Sequence, residues 1–499
     1  MHVTHLKIEN LRSLARAEMD LNHPGTAGGL DFPNVNVLLG SNGYGKTSLL
    51  RALALAVLGP LLSGSSGYVP ESLVRRPPGK RVVNASRLPP AVVSAQVALS
   101  EAELPSYARA LKSAGPITMS TTVASLGTSE RLQWAFEPSK LASLVERIQH
   151  DESATGFFVV GYGATRRVES STRVDESART KSRRRRYERV ASLFEDHLGL
   201  MPLSYWLPDY AKRNKGRYVQ VVQLINQLLP EACRMRSTPS ETPAGTEHLF
   251  EMNGVTLPFR SLSDGYRAYI GWVGDMLFHL CMGAVSGTKL VDTQGLVLVD
   301  EIDLHLHPEW QRVVLPTLSR ALPLVQFVVT THSPLVVGSL QADNLFSLVE
   351  DPDQPGAVQI RRLPERVQGR SAEQILLSPY FGLESTRSQP VADRLQVLSK
   401  AAATGDAKAS LQYLRLLAGG TAGASSAPAA AAPKLSQAVA APLAKAAAKT
   451  AAKTAANTAA KTVAKTAAKT AAKSAAKSAA KRAAGAAVKR ATKARPPAG

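Results

Sequence analysis

The segment Gly40-Ser-Asn-Gly-Tyr-Gly-Lys46-Thr47 limits what this chain can fold into more than any other stretch. Two glycines separated by four residues lead into Lys and Thr, the pattern of a phosphate-binding loop. The flanks agree with it. Val35–Leu39 is an apolar, strand-like run, and Ser48-Leu-Leu-Arg-Ala-Leu-Ala-Leu-Ala-Val57 is helical. Glycines let the backbone curl until its N–H groups face a phosphate, and the helix that follows aims its positive end at the same charge. Lys46 can reach terminal phosphates, and the Thr47 hydroxyl can ligate magnesium. Gly40, Asn42, Gly43, Gly45, Lys46, Thr47 and Ser48 form the candidate nucleotide-contacting set.

Around that loop the first 400 residues read as an α/β globule. Apolar runs at Val3–Ile8, Val35–Leu39, Phe157–Val160, Leu296–Val299 and Phe327–Thr330 predict strands. Helical patterns lie between them at 46–58, 218–229, 265–283 and 309–322. The expected division is a head over 1–400, with a helical or inserted lobe at about 165–290, then a linker over 401–440 and a low-complexity tail over 441–499. No heptads are sustained near 165–215, so no long coiled-coil arm is expected. The two cysteines, Cys233 and Cys281, are too few for a disulfide scaffold or a cysteine zinc site. Outside the Ala-rich tail no apolar run has the length of a membrane span, and the N-terminus lacks a secretory layout. A cytoplasmic protein with no membrane partner is expected.

Three further pieces carry chemistry. Gly295-Leu-Val-Leu-Val299-Asp300-Glu301 is a buried-type strand ending in two acids. Asp300 suits a magnesium ion and its water, and Glu301 suits an attacking water. Arg260-Ser-Leu-Ser263-Asp-Gly265 starts a helix, with Ser263 as N-cap and free N–H groups able to face an anion. Gln326–Thr331 is a strand leading into His332, whose imidazole could hydrogen-bond a γ-phosphate. Taken alone, Ser263 also reads as a plain helix cap and His332 as a structural turn residue. His305 and His307 stand two apart after the acids, and they read as turn-shaping residues, not as metal ligands.

The order of phosphate loop, Leu-Ser-x-Gly segment, Asp-Glu strand and Thr-His-Ser resembles the ABC-type ATPases. Among these it is similar to the RecF/SMC-like AAA-type proteins. Leu6-Lys-Ile-Glu-Asn-Leu-Arg12-Ser13 matches their opening strand and turn, and Asp300-Glu-Ile-Asp-Leu-His-Leu-His307-Pro308 matches their second motif. The similarity covers about residues 1–385. It implies an ABC-type head with a mixed sheet, flanking helices and a helical lobe, and with ATP and Mg2+ as ligands. It implies that Lys46 and Thr47 bind phosphate and magnesium, that Asp300 supports the metal, and that Glu301 is the general base. His332 would sense the γ-phosphate, and Arg12 would approach the phosphates. Ser263 and Gly265 would contact the ATP held by a second subunit, which implies a head-to-tail homodimer. Two departures stand out. Asp264 replaces the glycine usual in transporter ATPases, and no glutamine follows the strand at Phe157–Val160, where Tyr162 is a candidate replacement.

Composition changes abruptly after Gly419. Of the formal net charge of +21, the stretch from Ala431 onward holds 15 Lys and Arg and no acid. Its Ala-Ala-Lys-Thr repeat has no aromatic residue and cannot build a core. It resembles the Lys/Ala-rich tails of linker histones. Clustered lysines displace counterions from phosphates, so a sequence-independent, salt-sensitive contact with nucleic acid is expected, with nucleoid association as a consequence. The run Ser182-Arg-Arg-Arg-Arg186 is either a further basic contact or a solvated helix face. Two functions are compatible with these features. One is an ATP-hydrolysing dimer switch in a DNA-related repair or defence process. The other is a regulatory ATPase controlling a separate effector protein, such as a nuclease.

Overall fold

The computed structural model describes residues 1–26, 28–63, 68–76, 88–99, 117–127, 129–151, 156–168, 185–196, 198–242, 245–284, 287–352, 354 and 357–417. They fall into two compact units, Met1–Thr386 and a second that begins at Arg387.

The first unit opens with an antiparallel sheet of five strands. These are β1 (His2–Leu11), β2 (Leu14–Asp20), β4 (Ala91–Ala98), β5 (Ile117–Ser125) and β6 (Glu130–Glu137), in the order β2-β1-β4-β5-β6. A second sheet has six strands. Four come from the predicted apolar runs: β3 (Val35–Leu39), β7 (Val159–Tyr162), β11 (Gly295–Val299) and β12 (Val325–Thr330). With β13 (Leu345–Glu350) and β14 (Val358–Arg361) the order is β14-β13-β3-β12-β11-β7. All pairings are parallel except β13 with β14.

Both faces of the six-stranded sheet are covered, which is why its strands read as continuous apolar runs. Side chains alternate between the faces. Leu38, Leu296, Leu298 and Val328 join a core with α1 (Lys46–Val57) and the five-stranded sheet. Val37, Leu39, Val297, Val299, Phe327 and Val329 join a second core with the lobe helices. The helix α1 is thus sandwiched between two sheets, and Leu49, Leu50, Leu53 and Val57 are all fully buried.

Four more helices matter here: α2 (Ala142–His150), α3 (Arg185–Phe194), α4 (Leu203–Arg213) and α5 (Lys215–Leu228). They precede a small antiparallel sheet of β8 (Cys233–Met235), β9 (Leu249–Met252) and β10 (Val255–Pro258). The helix α6 (Asp264–Gly283) follows. At 20 residues it is the longest among the described residues. The lobe that the sequence placed at about 165–290 therefore mixes helix and strand. The helix expected over 309–322 is interrupted, giving a turn at Pro308–Gln311 and then α7 (Val314–Ala321). Pro316 explains the break: it lacks an N–H, and in a continuous helix its ring would meet the carbonyl of Arg312.

The basic run of the sequence is partly structural. Arg186 is buried and donates to the carbonyls of Gly156 at 2.6 Å and Asp151 at 3.2 Å. Arg189 is buried over the ring of Phe158, 5.1 Å from its centroid. These two arginines are not available to track a nucleic-acid backbone; Arg183 and Arg184 lie outside the described residues.

The second unit carries a helical hairpin, α8 (Gln389–Ala403) and α9 (Ala407–Leu417). Residues 401–417, read from composition as the start of the linker, belong to it. Asp406 accounts for the restart: its carboxylate accepts from the N–H groups of Lys408 at 2.8 Å and Ala409 at 3.1 Å. The Lys/Ala-rich tail at 441–499 lies outside the described residues. No helix among the described residues is long and apolar enough to cross a membrane.

Candidate functional site

Strand order brings the motifs together. In the six-stranded sheet β12 lies between β3 and β11, and β7 flanks β11. All four are parallel, so the segments after them leave the same edge: 40–47, 163–166, 300–303 and 331–333. Clefts at the carboxyl ends of parallel strands are where open α/β sheets bind ligands.

The phosphate loop has the expected backbone. Gly45 sits at φ 93, the left-handed region, at the N-cap of α1. A Cβ there would lie 2.4 Å from Ser13 Oγ in the β1–β2 turn, so this position requires glycine for both space and conformation. Lys46 is buried, and its ammonium donates to the carbonyls of Gly40 at 2.7 Å and Ser41 at 3.2 Å. Burial lowers its pKa, and the nearby Asp300 and Glu301 oppose that shift. Ser48 is buried beneath the loop, while Asn42 and Gly43 are exposed at its rim. Thr47 Oγ1 donates to Asp300 Oδ2 at 2.7 Å.

The turn after β11 is tied on two sides. Thr330 Oγ1 donates to Asp300 Oδ1 at 2.6 Å, and the Glu301 N–H donates to Thr330 Oγ1 at 2.7 Å. Thr331 Oγ1 donates to Asp303 Oδ1 at 2.5 Å, as does the His332 N–H at 3.3 Å. His332 itself is exposed at the rim. Glu301 takes φ 47, a left-handed conformation that costs a non-glycine residue about 1–2 kcal/mol and so has to be held in place. Arg166 is on the other side. Its two terminal nitrogens donate to the carbonyls of Asp300 and Glu301, each at 2.7 Å. Its guanidinium also lies over Trp272 of α6, 5.9 Å from the ring centroid. Burial pushes the Arg166 pKa down to about 10, against the raising effect of Asp300, Asp303 and Glu301. Nothing in the sequence motifs singles out Arg166. The available signal was its position four residues past the end of β7, where the family pattern leads to a glutamine.

Tyr162, the candidate for that glutamine, does something else. It is fully buried and donates its hydroxyl to Asp275 Oδ2 of α6 at 2.7 Å. Its phenol is held well above its usual pKa, first by burial and then by the Asp275 charge. The strand places the Tyr162 side chain in the lobe-side core, because Tyr162 pairs with Val299, whose side chain lies in that core.

Ser263 stands at the N-cap of α6, but its side chain makes no cap hydrogen bond and is exposed. Asp264 instead pairs with Arg267. A Cβ on Gly265 would lie 2.9 Å from the carbonyl of His305, so glycine lets α6 approach the turn after β11. Tyr266 packs edge-on against Trp310, with centroids 4.2 Å apart, and closes the same contact. His305 and His307 are exposed. Arg12, at φ 49 in the β1–β2 turn, donates from Nε to the Ser72 carbonyl at 3.2 Å. Its pKa is lowered by burial and then by the neighbouring charge of Arg51.

The donor set fits a magnesium triphosphate. The first turn of α1 leaves N–H groups without intrahelical partners, and Lys46 supplies a cation whose partners are loop carbonyls. One hydroxyl and one carboxylate, Thr47 and Asp300, suit a magnesium ion that keeps waters and phosphate oxygens in its other positions. Among the described residues no group of three or more His, Cys, Asp and Glu side chains could hold a metal ion by itself.

Residues 35–338 match the family model described as "AAA domain, putative AbiEii toxin, Type IV TA system". The chain is 31% identical over 162 residues to the protein named "Retron Ec83 probable ATPase" from Escherichia coli, covering 32% of this chain and 29% of that one. It is 28% identical over 229 residues to the Septu protein PtuA of Bacillus mycoides, covering 46% of this chain and 30% of that one. The chain thus spans under a third of the length of these relatives. A solved SMC head, bound to the C-winged helix domain of ScpA, aligns with 73% of this chain and 98% of its own at 14% identity and a TM-score of 0.42.

Proposed function

The chain belongs to the family described as "AAA domain, putative AbiEii toxin, Type IV TA system", and from that premise we propose that it binds ATP with magnesium, hydrolyses it, and uses the cycle to make and break a homodimer. The observation that carries this reading is the meeting of Lys46, Thr47, Asp300 and Glu301 at one sheet edge, with His332 at the rim. A relative named as a probable ATPase supports it.

In this reading the loop N–H groups and Lys46 hold the β- and γ-phosphates of the substrate. Thr47 and Asp300 hold the magnesium ion, which neutralises phosphate charge when bound. Glu301 orients the attacking water and accepts its proton. His332 hydrogen-bonds the γ-phosphate, and Arg12 approaches the phosphates from the β1–β2 turn. Ser263, free of capping, and the α6 N-terminus beside Gly265 contact the nucleotide of a second copy. ATP then supplies contacts shared between two subunits, and hydrolysis removes them. The head is the first unit, Met1–Thr386, shorter than the 1–400 expected from the sequence, the basic tail runs from 441, and the setting is a DNA-related defence or repair process. The tail holds nucleic acid nearby through its lysines.

The test is ATPase rate and oligomeric state for the full chain and for a chain truncated after Gly419, with and without DNA, at two salt concentrations. Stimulation of the truncated chain by DNA supports direct action by the head. Stimulation only by a separate effector protein would favour a regulatory ATPase. Absence of any affinity for nucleoside triphosphates would remove the assigned chemistry.

A further inference from the structure

Glu301 needs two things that its own strand does not supply. Its backbone sits at φ 47, which an extended strand does not continue into, and its carboxylate must point out of the sheet edge. The Thr330 hydroxyl holds the Glu301 N–H, and the Leu304 N–H donates to the Glu301 carbonyl at 3.0 Å, but neither bond ties the Asp300 carbonyl to that of Glu301. Arg166 fills that role. A guanidinium presents paired N–H groups in a fixed plane, which matches two successive carbonyls better than an ammonium can. Both bonds are 2.7 Å, and the ring of Trp272 backs the guanidinium at 5.9 Å.

We infer that Arg166 is a positioning residue for the reaction, clamping the carbonyls of Asp300 and Glu301 so that the Glu301 carboxylate is aimed at the attacking water. It acts through Glu301 and touches no substrate. It also connects the turn to α6 through Trp272, so the aim of the base depends on where the lobe helix sits. This inference rests on reading Glu301 as the general base.

The test compares the full chain with Arg166→Lys and Arg166→Ala, each alone and combined with Glu301→Gln. Turnover, affinity for a fluorescent ATP analogue and the thermal midpoint are measured for each. A misplacement on the scale of 1 Å lowers turnover about 100-fold. That loss is expected for Arg166→Ala, with nucleotide affinity within about threefold of the wild type. Added guanidinium at low millimolar concentration should restore part of the loss, since it can re-enter the vacated space. Arg166→Lys, which keeps the fold under milder change, should fall between the two. In the Glu301→Gln background neither substitution should lower the residual rate further, because the base they position is gone.

Turnover unchanged in both variants overturns the inference. So does a loss that appears in affinity, or one of equal size in the Glu301→Gln background. A wild-type chain that binds ATP but turns none over overturns the reading of the site itself, and with it any base for Arg166 to position.

Discussion

Thr47 and Asp300 are 253 positions apart in the chain, and the Thr47 hydroxyl donates to the Asp300 carboxylate at 2.7 Å. One sits at the start of α1 and the other just past the end of β11. Their meeting follows from the parallel insertion of β12 between β3 and β11. This pair also joins the phosphate loop to the acidic turn, so a metal placed between them would sense both.

Lys46→Ala should lose nucleotide affinity without unfolding. The ammonium makes charge-assisted bonds, each worth about 1.5–3 kcal/mol, so affinity should drop roughly 10- to 150-fold. Titration with a fluorescent ATP analogue reads this directly. An unchanged affinity would mean that the triphosphate sits elsewhere.

Glu301→Gln keeps shape and removes the base. Turnover should fall by about 10²- to 10⁴-fold, while ATP still binds and the protein accumulates as a dimer. Sedimentation with ATP and magnesium checks the second half. A mutant that stays monomeric with ATP bound would rule out the shared-nucleotide arrangement.

Gly45→Ala meets two obstacles, the left-handed φ of 93 and the Ser13 hydroxyl 2.4 Å from the new Cβ. The first costs about 1–2 kcal/mol. Adding Ser13→Ala should relieve the second obstacle and leave the first. The double variant is therefore expected to melt above Gly45→Ala and below wild type. Equal melting of the two variants would show that the contact with Ser13 is immaterial.

Asp275 is buried and accepts from the Tyr162 hydroxyl and the Met201 N–H, each at 2.7 Å, with His279 Nε2 at 3.4 Å. Asp275→Ala would leave buried donors unpaired, at a cost of about 1–3 kcal/mol each. Chemical denaturation should report a loss of about 2–6 kcal/mol for the two donors. A loss below 1 kcal/mol would mean that water enters and replaces the carboxylate.

Acid should destabilise the fold in a defined window. Burial holds His248 down at about 4, and burial with the nearby N-terminal ammonium does the same for His2, against an ordinary value of 6.5. The folded state keeps these rings neutral while the unfolded state takes up protons first. Their contribution is therefore complete above pH 6.5 and lost as pH falls toward 4. For His248 this is on the order of 3 kcal/mol. The thermal midpoint should fall between pH 7 and 4.5, and fall less steeply in His248→Gln. Parallel curves for the two proteins would refute the assignment.

Local chemistry alone dictated much of this molecule. The glycine spacing around Lys46 requires a phosphate-type loop whatever surrounds it, because only glycine tolerates the backbone at Gly45. The unbroken apolar runs of β3, β11 and β12 predicted strands, and strands lie there. The strand-end positions of Asp300, Glu301 and His332 were legible because such motifs are local in sequence. Arg166 and Asp275 were not. Nothing in the residues around Arg166 reveals that its partners are two backbone carbonyls more than 130 positions away, since carbonyls carry no sequence identity. Tyr162 read as a site residue because it follows the right strand, yet its pairing with Val299 turns it into the core. Which side of a strand a residue faces, and which distant backbone it meets, are set by register and packing, and these exist only once the sheet is assembled.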